Sequence, residues 1–237
     1  DPSLSEMAKQ AADVFTQAGK AYTDGSISTQ EAKDYIYINT IPVFVTPDEN
    51  GIYHIGNTAQ MYGFTKMVNS GTNNIDAVLD GDVMFETAMI MNDFYGTFDG
   101  QGHTMNMNIE ISGKEGAAPF FNLRGATVKN LTVTGEITSD NKFAAAIAAH
   151  AYDASTIENI QSYVNIHGTK AGDGTHGGIL AVNNTGAGKV INCLVAGTMD
   201  GTASMNGGII GYGAEAATII NSLIIANITW DPNSSNI

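Results

Sequence analysis

The chain repeats one seven-residue segment four times: Gly-Ala-Thr-Val-Lys-Asn-Leu (125–131), Ala-Ser-Thr-Ile-Glu-Asn-Ile (154–160), Ala-Gly-Lys-Val-Ile-Asn-Cys (187–193) and Ala-Ala-Thr-Ile-Ile-Asn-Ser (216–222). The asparagines of these copies recur at intervals of 29, 33 and 29 residues. A unit of this length with several short strands and no helix cannot form a βαβ crossover. It can form one coil of a parallel β-solenoid, in which each strand pairs with its copy about 4.8 Å away.

The asparagine of each copy marks a change in strand phase. Val128 and Asn130 share one parity, whereas Leu131 and Val133 are one step out of phase. An alternating pattern shifts its phase where the chain turns a corner, and asparagine tolerates the left-handed conformation of a tight corner. Stacked copies can also hydrogen-bond along the solenoid axis. We therefore predict a ladder on one corner, the alternative being independent surface turns of a β-sandwich; its members are Asn130, Asn159, Asn192 and Asn221.

The N-terminal part of the chain differs from the repeats. Helical spacing predicts one helix that ends at Gly25, a second over 28–35, and a third that begins with Thr58 as its cap and ends at Gly71. Short strands are predicted over 41–45 and 51–55. We expect a mostly β fold, a right-handed parallel β-helix with an N-terminal α-helical cap. The predicted divisions are a helical cap (1–40), a strand and helix segment that leads into the repeats (41–73), parallel β-helix repeats (74–230) and a tail (231–237).

A family resemblance covers about residues 51–226. Gly-Thr-Phe-Asp-Gly-Gln-Gly-His-Thr (96–104) is its most specific part, and Gly-Gly-Ile-Ile-Gly-Tyr (207–212) and Val-Ile-Asn-Cys (190–193) resemble the GLUG repeat of bacterial surface proteins. The resemblance implies an exported right-handed β-helix, often one module of a longer chain. No catalytic residues are established for this repeat, so the resemblance assigns none here. The sequence departs from the pattern at Ala144-Ala145-Ala146 and Pro119-Phe120-Phe121, where glycines are usual.

Composition narrows the range of partners. The 237 residues include 10 basic and 24 acidic side chains, a net charge of −14, and a single arginine, Arg124. Nucleic-acid binding and attraction to anionic membranes both need a basic surface, so we predict neither. No apolar run approaches the roughly 20 residues of a membrane span, and membrane insertion is not predicted. One cysteine, Cys193, allows no intrachain disulfide, and its spacing after the corner asparagine predicts a core position.

Metal, cofactor and catalytic sites are weakly supported. Asp80 and Asp82 could contribute to a calcium site, but calcium needs six or more oxygen ligands and no third acidic ligand stands nearby. A carbohydrate-cleaving β-helix would need two carboxylates across the scissile bond, and the acidic residues of the repeats do not recur in one register. We therefore predict no catalytic residues, no metal ligands and no cofactor.

The C-terminal repeats become apolar on the strand that follows the corner. The outward column changes from Thr132 and Thr134 to leucine and isoleucine toward the C-terminus. An uncovered strand edge beside an apolar strip favours association, so we expect either a fragment of a longer polypeptide or one protomer of an assembly. The predicted contact surface consists of Leu194, Leu223, Ile225 and Trp230.

On these grounds we predict a non-catalytic module, extracellular or on the bacterial cell surface, for adhesion, presentation or assembly. Its expected partners are surface glycans or another protein or protomer at the C-terminal edge. The alternative is a carbohydrate-binding or carbohydrate-cleaving β-helix protein. A binding module would show exposed aromatic residues over a groove, and the candidates Tyr152, Tyr163 and Tyr212 are dispersed along the sequence.

Overall fold

The computed structural model describes residues 4–26, 32, 36, 45–85, 90–111, 116–140 and 142–229. Helix α1 (Leu4–Thr23) lies at the N-terminus, and most of the chain that follows is strand. Every pairing between the described strands is parallel, and the strands stack into a β-solenoid. The predicted fold class is therefore confirmed. The predicted helix over 28–35, strand over 41–45 and tail over 231–237 lie wholly or mostly outside the described residues.

The first face of the solenoid carries the segments that precede each asparagine corner. Residues at equivalent positions pair directly, as in the series Phe98, Val128, Ile157 and Val190. The strands of this face are β1 (Ile52–Ile55), β2 (Asp76–Leu79), β5 (Thr97–Asp99), the starts of β9 (Thr127–Ser139) and β12 (Thr156–Gly177), β14 (Gly188–Ile191) and β18 (Ala217–Ile220).

The second face follows the corner. Here Val133 pairs with Met105 on one side and with Ser162 on the other. The strands are β3 (Val83–Phe85), β6 (Thr104–Ile111), the later parts of β9 and β12, β15 (Leu194–Val195), β16 (Thr198–Gly207), β19 (Leu223–Ile224) and β20 (Asn227–Ile228).

The third face closes each coil. Two short strands, β7 (Gly116–Ala117) and β10 (Phe143–Ala145), pair with each other and lead into it. The strands of the face itself are β4 (Ile90–Phe94), β8 (Phe120–Arg124), β11 (Ala148–Tyr152), β13 (Leu180–Asn183) and β17 (Ile210–Gly213).

The three faces enclose one main apolar core. Inward positions alternate along each strand as the period of two requires, so Val128, Val133 and Ile137 of β9 are all fully buried. Cys193 is a buried core residue, as its place in the repeat predicted. The larger side chains gather at the N-terminal end, where Phe94, Phe98 and neighbouring rings contact one another.

Helix α2 (Thr58–Asn69) covers the N-terminal end of that core. Met61, Phe64 and Val68 are fully buried in the core cluster, and the Phe64 ring lies 6.1 Å from the ring of Phe94. The N-cap of this helix is Asn57, whose side chain accepts a hydrogen bond from the Gln60 N–H. The prediction of Thr58 as the cap was therefore wrong by one residue, and Thr58 is the first residue of the helix.

The ends of α2 also bind the strand edges beside them. Thr58 Oγ1 accepts the backbone N–H of Met84 in β3 at 2.9 Å. At the other end Asn69 Oδ1 accepts the N–H groups of Met91 and Asn92 in β4 at 2.8 and 3.1 Å. β1 and α2 therefore form an initial coil in which a helix replaces the strands of the second and third faces. These bonds satisfy three backbone amides at the edges of β3 and β4.

Helix α1 has a different environment. Ala18 is buried, whereas Phe15 and Tyr22 are 55% and 53% exposed. The N-terminal helix is present as predicted, and the covering of the first strand edges by residues 1–40 stays a prediction. Among the described residues, neither helix combines the length and apolar character that a membrane crossing requires.

Candidate functional site

The structure brings the four ladder asparagines together on one corner. Asn159 Nδ2 donates to Asn130 Oδ1 at 2.9 Å, Asn192 to Asn159 at 3.2 Å, and Asn221 to Asn192 at 2.8 Å. All four have backbone φ angles between 48° and 54°. The left-handed conformation explains both the residue type and the phase change, because asparagine adopts it at lower cost than other residues with a Cβ.

The ladder begins on an aspartate that sequence reasoning did not include. Asn130 Nδ2 donates to Asp99 Oδ1 at 3.0 Å, and Lys129 Nζ lies 3.5 Å from Asp99 Oδ2. Partial burial acts to raise the pKa of the Asp99 carboxyl, but the hydrogen bonds from Asn130 and from the Gln101 N–H, with the charge of Lys129, outweigh it and hold the pKa below its ordinary value. Asp99 pairs with Lys129 and does not stand at the asparagine position of the repeat, so the repeat pattern carried no signal for it.

The two carboxylates that were considered as calcium ligands face different partners. Asp80 Oδ2 lies 2.8 Å from Nδ1 of His54, and this hydrogen bond raises the pKa of His54. Asp82 Oδ1 accepts the Thr104 N–H at 2.8 Å and lies 3.4 Å from Nδ1 of His103. Within the described part of the chain, no three His, Cys, Asp or Glu side chains come together in a group that could hold a metal ion.

The only arginine of the sequence is bound within the third face. Arg124 Nε donates to Asp93 Oδ2 at 2.7 Å, and its guanidinium lies 4.2 Å above the ring of Tyr152. Tyr152, one of the three tyrosines considered as a binding surface, is thus engaged in an intramolecular contact. Tyr212 is 48% exposed on the same face, while Tyr163 is 42% exposed on the second face. The structure therefore does not bring the three together.

An open groove of about 390 Å³ lies on the outer surface of the second face. Strand register places its lining residues in two outward columns, Met84, Asn106 and Tyr163 on one side, and Asn108, Glu136 and Asn165 on the other.

The floor of the groove between these columns is formed at Met107 and Gly135. A Cβ on Gly135 would lie 1.9 Å from the Met107 carbonyl oxygen, and the φ angle of Gly135 is +102°, so the floor admits no side chain there.

The last coil (217–229) exposes residues that are buried in the preceding coils. Ile219 and Ile224 are 50% and 44% exposed, whereas Val190 and Val195 at the same positions one coil earlier are 1% and 3% exposed. Of the predicted contact residues, Leu194 pairs with Leu223, so both lie in one outward column.

For the other two predicted contact residues, Ile225 and Trp230, the described part of the chain shows no strand pairing with Leu194 or Leu223. Ile225 is 65% exposed and lies two residues beyond Leu223. Trp230 lies outside the described residues.

His150 is a buried histidine on β11 that the sequence did not single out as functional. Its ring lies 4.4 Å from the Phe143 ring and 5.3 Å from the Phe121 ring, and Nδ1 accepts a hydrogen bond from Asn184 Nδ2 at 2.9 Å. Burial, with a smaller contribution from the Lys142 charge, lowers the pKa of His150 to about 4. The imidazole is therefore neutral in the folded protein at neutral pH.

This lowered pKa predicts a loss of stability in mild acid. The unfolded chain protonates His150 near its ordinary pKa of 6.5, whereas the folded protein resists protonation until about pH 4. The stability that His150 contributes is complete above about pH 6.5 and is lost as the pH falls toward 4, by about 3 kcal/mol at the limit. Urea unfolding at about pH 7 and at about pH 4.5 measures this effect. The free energy of unfolding of the native protein should be lower at the acidic pH, and the decrease should be smaller in His150→Phe. Equal losses in the two proteins would rule out His150 as the cause.

Comparisons of the chain with protein-family models, with curated proteins and with solved structures found no match.

Proposed function

We propose that this chain is a non-catalytic module of an extracellular or cell-surface bacterial protein, and that it serves adhesion, presentation or assembly. The resemblance of residues 51–226 to GLUG repeats supports export and a surface location. The regular stacking of the coils, with side-chain hydrogen bonds that join Asp99 to Asn221 along one corner, supports a rigid supporting role.

The observation that carries the assembly role is the exposure of core positions in the last coil. Ile219 and Ile224 occupy inward positions, yet about half of each side chain is open to solvent. Among the described residues, β18, β19 and β20 each pair with a strand on one side only. This end therefore offers apolar side chains and backbone hydrogen-bonding groups together, which is the combination that another β-coil would bury.

A second copy of the chain is the occupant that fits best. At the opposite end of the solenoid α2 covers the apolar core, so we place the end-to-end contact between the C-terminal coils of two copies. Residues 216–229 contain no charged side chain and no histidine in a protein of net charge −14. Two such ends can approach without the like-charge repulsion that the rest of the surface would produce. A two-fold contact of this kind uses the same patch on both copies.

Sedimentation velocity over a concentration series tests this proposal. We expect the native chain to dimerise as concentration rises, and Ile224→Glu to stay monomeric because it places a charge in the contact. Met91→Glu is the matched control, because Met91 is 39% exposed on β4, near the N-terminal end of the solenoid. This variant should dimerise as the native chain does.

Hydrogen exchange on residues 219–228 gives a second measurement that does not depend on a variant. Protection of these amides should increase with protein concentration, because association would pair the open strand edges. A monomer at every concentration, with the same amides already protected, would contradict the proposal.

A further inference from the structure

The groove on the second face has an orderly arrangement of hydrogen-bonding groups. Asn106 Nδ2 donates to Thr134 Oγ1 at 2.8 Å, so its carbonyl oxygen is the group left to accept from a ligand. Asn165 Oδ1 accepts both the N–H and the hydroxyl of Thr198, at 3.0 and 2.8 Å, so its NH₂ is the group left to donate. Contacts within the sheet thus fix one acceptor and one donor on opposite sides of the groove.

The same groove offers an apolar surface. The Tyr163 ring is 42% exposed, and its hydroxyl donates to Gln161 Oε1 at 3.2 Å, which restrains the ring. Met84, 45% exposed, extends the apolar wall. A restrained aromatic ring binds a flat apolar face at low entropic cost.

The charge of the groove restricts the ligand. Among the lining residues that the structure describes, Glu136 is the only charged one, and none is a lysine or an arginine. An anionic ligand would meet a carboxylate without a compensating cation. A ligand that both donates and accepts hydrogen bonds, has an apolar face and carries no negative charge fits these walls.

The backbone of the groove does not offer a strand edge. β6, β9 and β12 each pair with strands on both sides, so an extended peptide cannot add to the sheet there. Recognition in the groove must come from side chains. Its volume of about 390 Å³ lies toward the lower end of the range for small-molecule sites, about 300–1,000 Å³.

We propose that this groove binds a neutral pyranose-containing oligosaccharide, with one sugar face against Tyr163 and hydroxyl groups bound by Asn106, Glu136 and Asn165. A pyranose supplies a C–H face and a rim of hydroxyl groups that donate and accept, which matches the two walls. The groove lies on coils before the last one, so binding there is independent of the end-to-end association proposed above.

Titration of the ¹⁵N-labelled protein with hexasaccharides tests the proposal. The neutral probes are cellohexaose, mannohexaose, maltohexaose and xylohexaose, and hexagalacturonate is the anionic probe. At least one neutral probe should shift the amide signals of β6, β9 and β12 with a Kd of about 1 mM or tighter. Hexagalacturonate should bind at least about tenfold more weakly than that neutral probe.

Three variants identify the groove as the binding site. Tyr163→Ala should weaken binding about tenfold or more, and Glu136→Gln, which keeps the shape of the side chain, should weaken it by a smaller factor. Tyr212→Ala is the matched control, because Tyr212 is similarly exposed on another face, and it should bind as the native protein does. Signals of the third face report that each variant is folded.

The outcomes that overturn the proposal are definite. They are the absence of binding by every neutral probe, an unchanged affinity in both folded groove variants, or binding of hexagalacturonate that equals or exceeds that of the neutral probes. None of these results would alter the sedimentation behaviour of the last coil.

Discussion

Replacing Phe64 by alanine is expected to lower the free energy of unfolding by about 3–5 kcal/mol. Phe64 of α2 is fully buried, and the centre of its ring lies 6.1 Å from that of Phe94 and 5.8 Å from that of Phe98. Removal of the ring leaves a cavity between α2 and the sheets, which the rigid coils cannot fill by collapse. Urea unfolding followed by circular dichroism measures the loss.

Phe15→Ala is the matched control for this substitution. Phe15 is also a phenylalanine on a helix, but it is 55% exposed on α1, and its replacement should change the free energy of unfolding by less than about 0.5 kcal/mol. If the two variants lost similar amounts of stability, α2 would not be the element that covers the core.

Replacing Asn192 by leucine should cost about 2–4 kcal/mol. Asn192 donates one ladder hydrogen bond and accepts another, and leucine makes neither while it must still adopt a φ angle near 53°. Glycine accepts that conformation without strain, so Asn192→Gly should lose only the hydrogen bonds, about 1–2 kcal/mol. The difference between the two variants measures the backbone contribution to the corner.

An asparagine outside the ladder provides the control. Asn108 is exposed in β6 and has an extended backbone, and Asn108→Leu should change stability by less than about 0.5 kcal/mol. Thermal and urea unfolding of the three variants gives the comparison. If Asn192→Leu and Asn108→Leu cost the same, the corner does not depend on the ladder.

The coil architecture was predictable because its cause is local. Each copy of the repeat carries its own phase change and its own corner residue, and one sequence period places every copy in the same environment. The left-handed φ angle of Asn130 and its three equivalents belongs to the repeated seven-residue segment. Such a property can be recognised without knowledge of the distant parts of the chain.

The role of α2 was harder to predict because it depends on tertiary contacts. The sequence indicated a helix that begins with Thr58 as its cap and ends at Gly71, but not which surface of the protein this helix would meet. The bonds from Thr58 and Asn69 to the edge amides of β3 and β4 join residues 22 to 26 positions apart. The amphipathic pattern of residues 1–40 predicts a cap formed by those residues instead.

The groove could not be predicted from any single segment. Its two walls come from β3, β6, β9 and β12, and the outward columns follow from the exact pairing of Asn106 with Thr134 and of Tyr163 with Thr134. The orientation of the Asn165 amide depends on Thr198, 33 residues away. In the sequence, Tyr163 groups with two other tyrosines, which lie on another face of the structure, and nothing there connects it to its amide neighbours.

The stacking of coils underlies the ladder, the groove and the exposed last coil, and side-chain amide contacts between asparagines test it most directly. In protein labelled with ¹⁵N-asparagine, we expect nuclear Overhauser contacts from the Nδ2 protons of Asn159 to Asn130, of Asn192 to Asn159 and of Asn221 to Asn192, assigned by single replacements. These residues are hydrogen-bonded neighbours although 29 to 33 positions separate them in sequence. If these amide protons show contacts only to residues nearby in sequence, the four asparagines do not share a corner and the solenoid account is wrong.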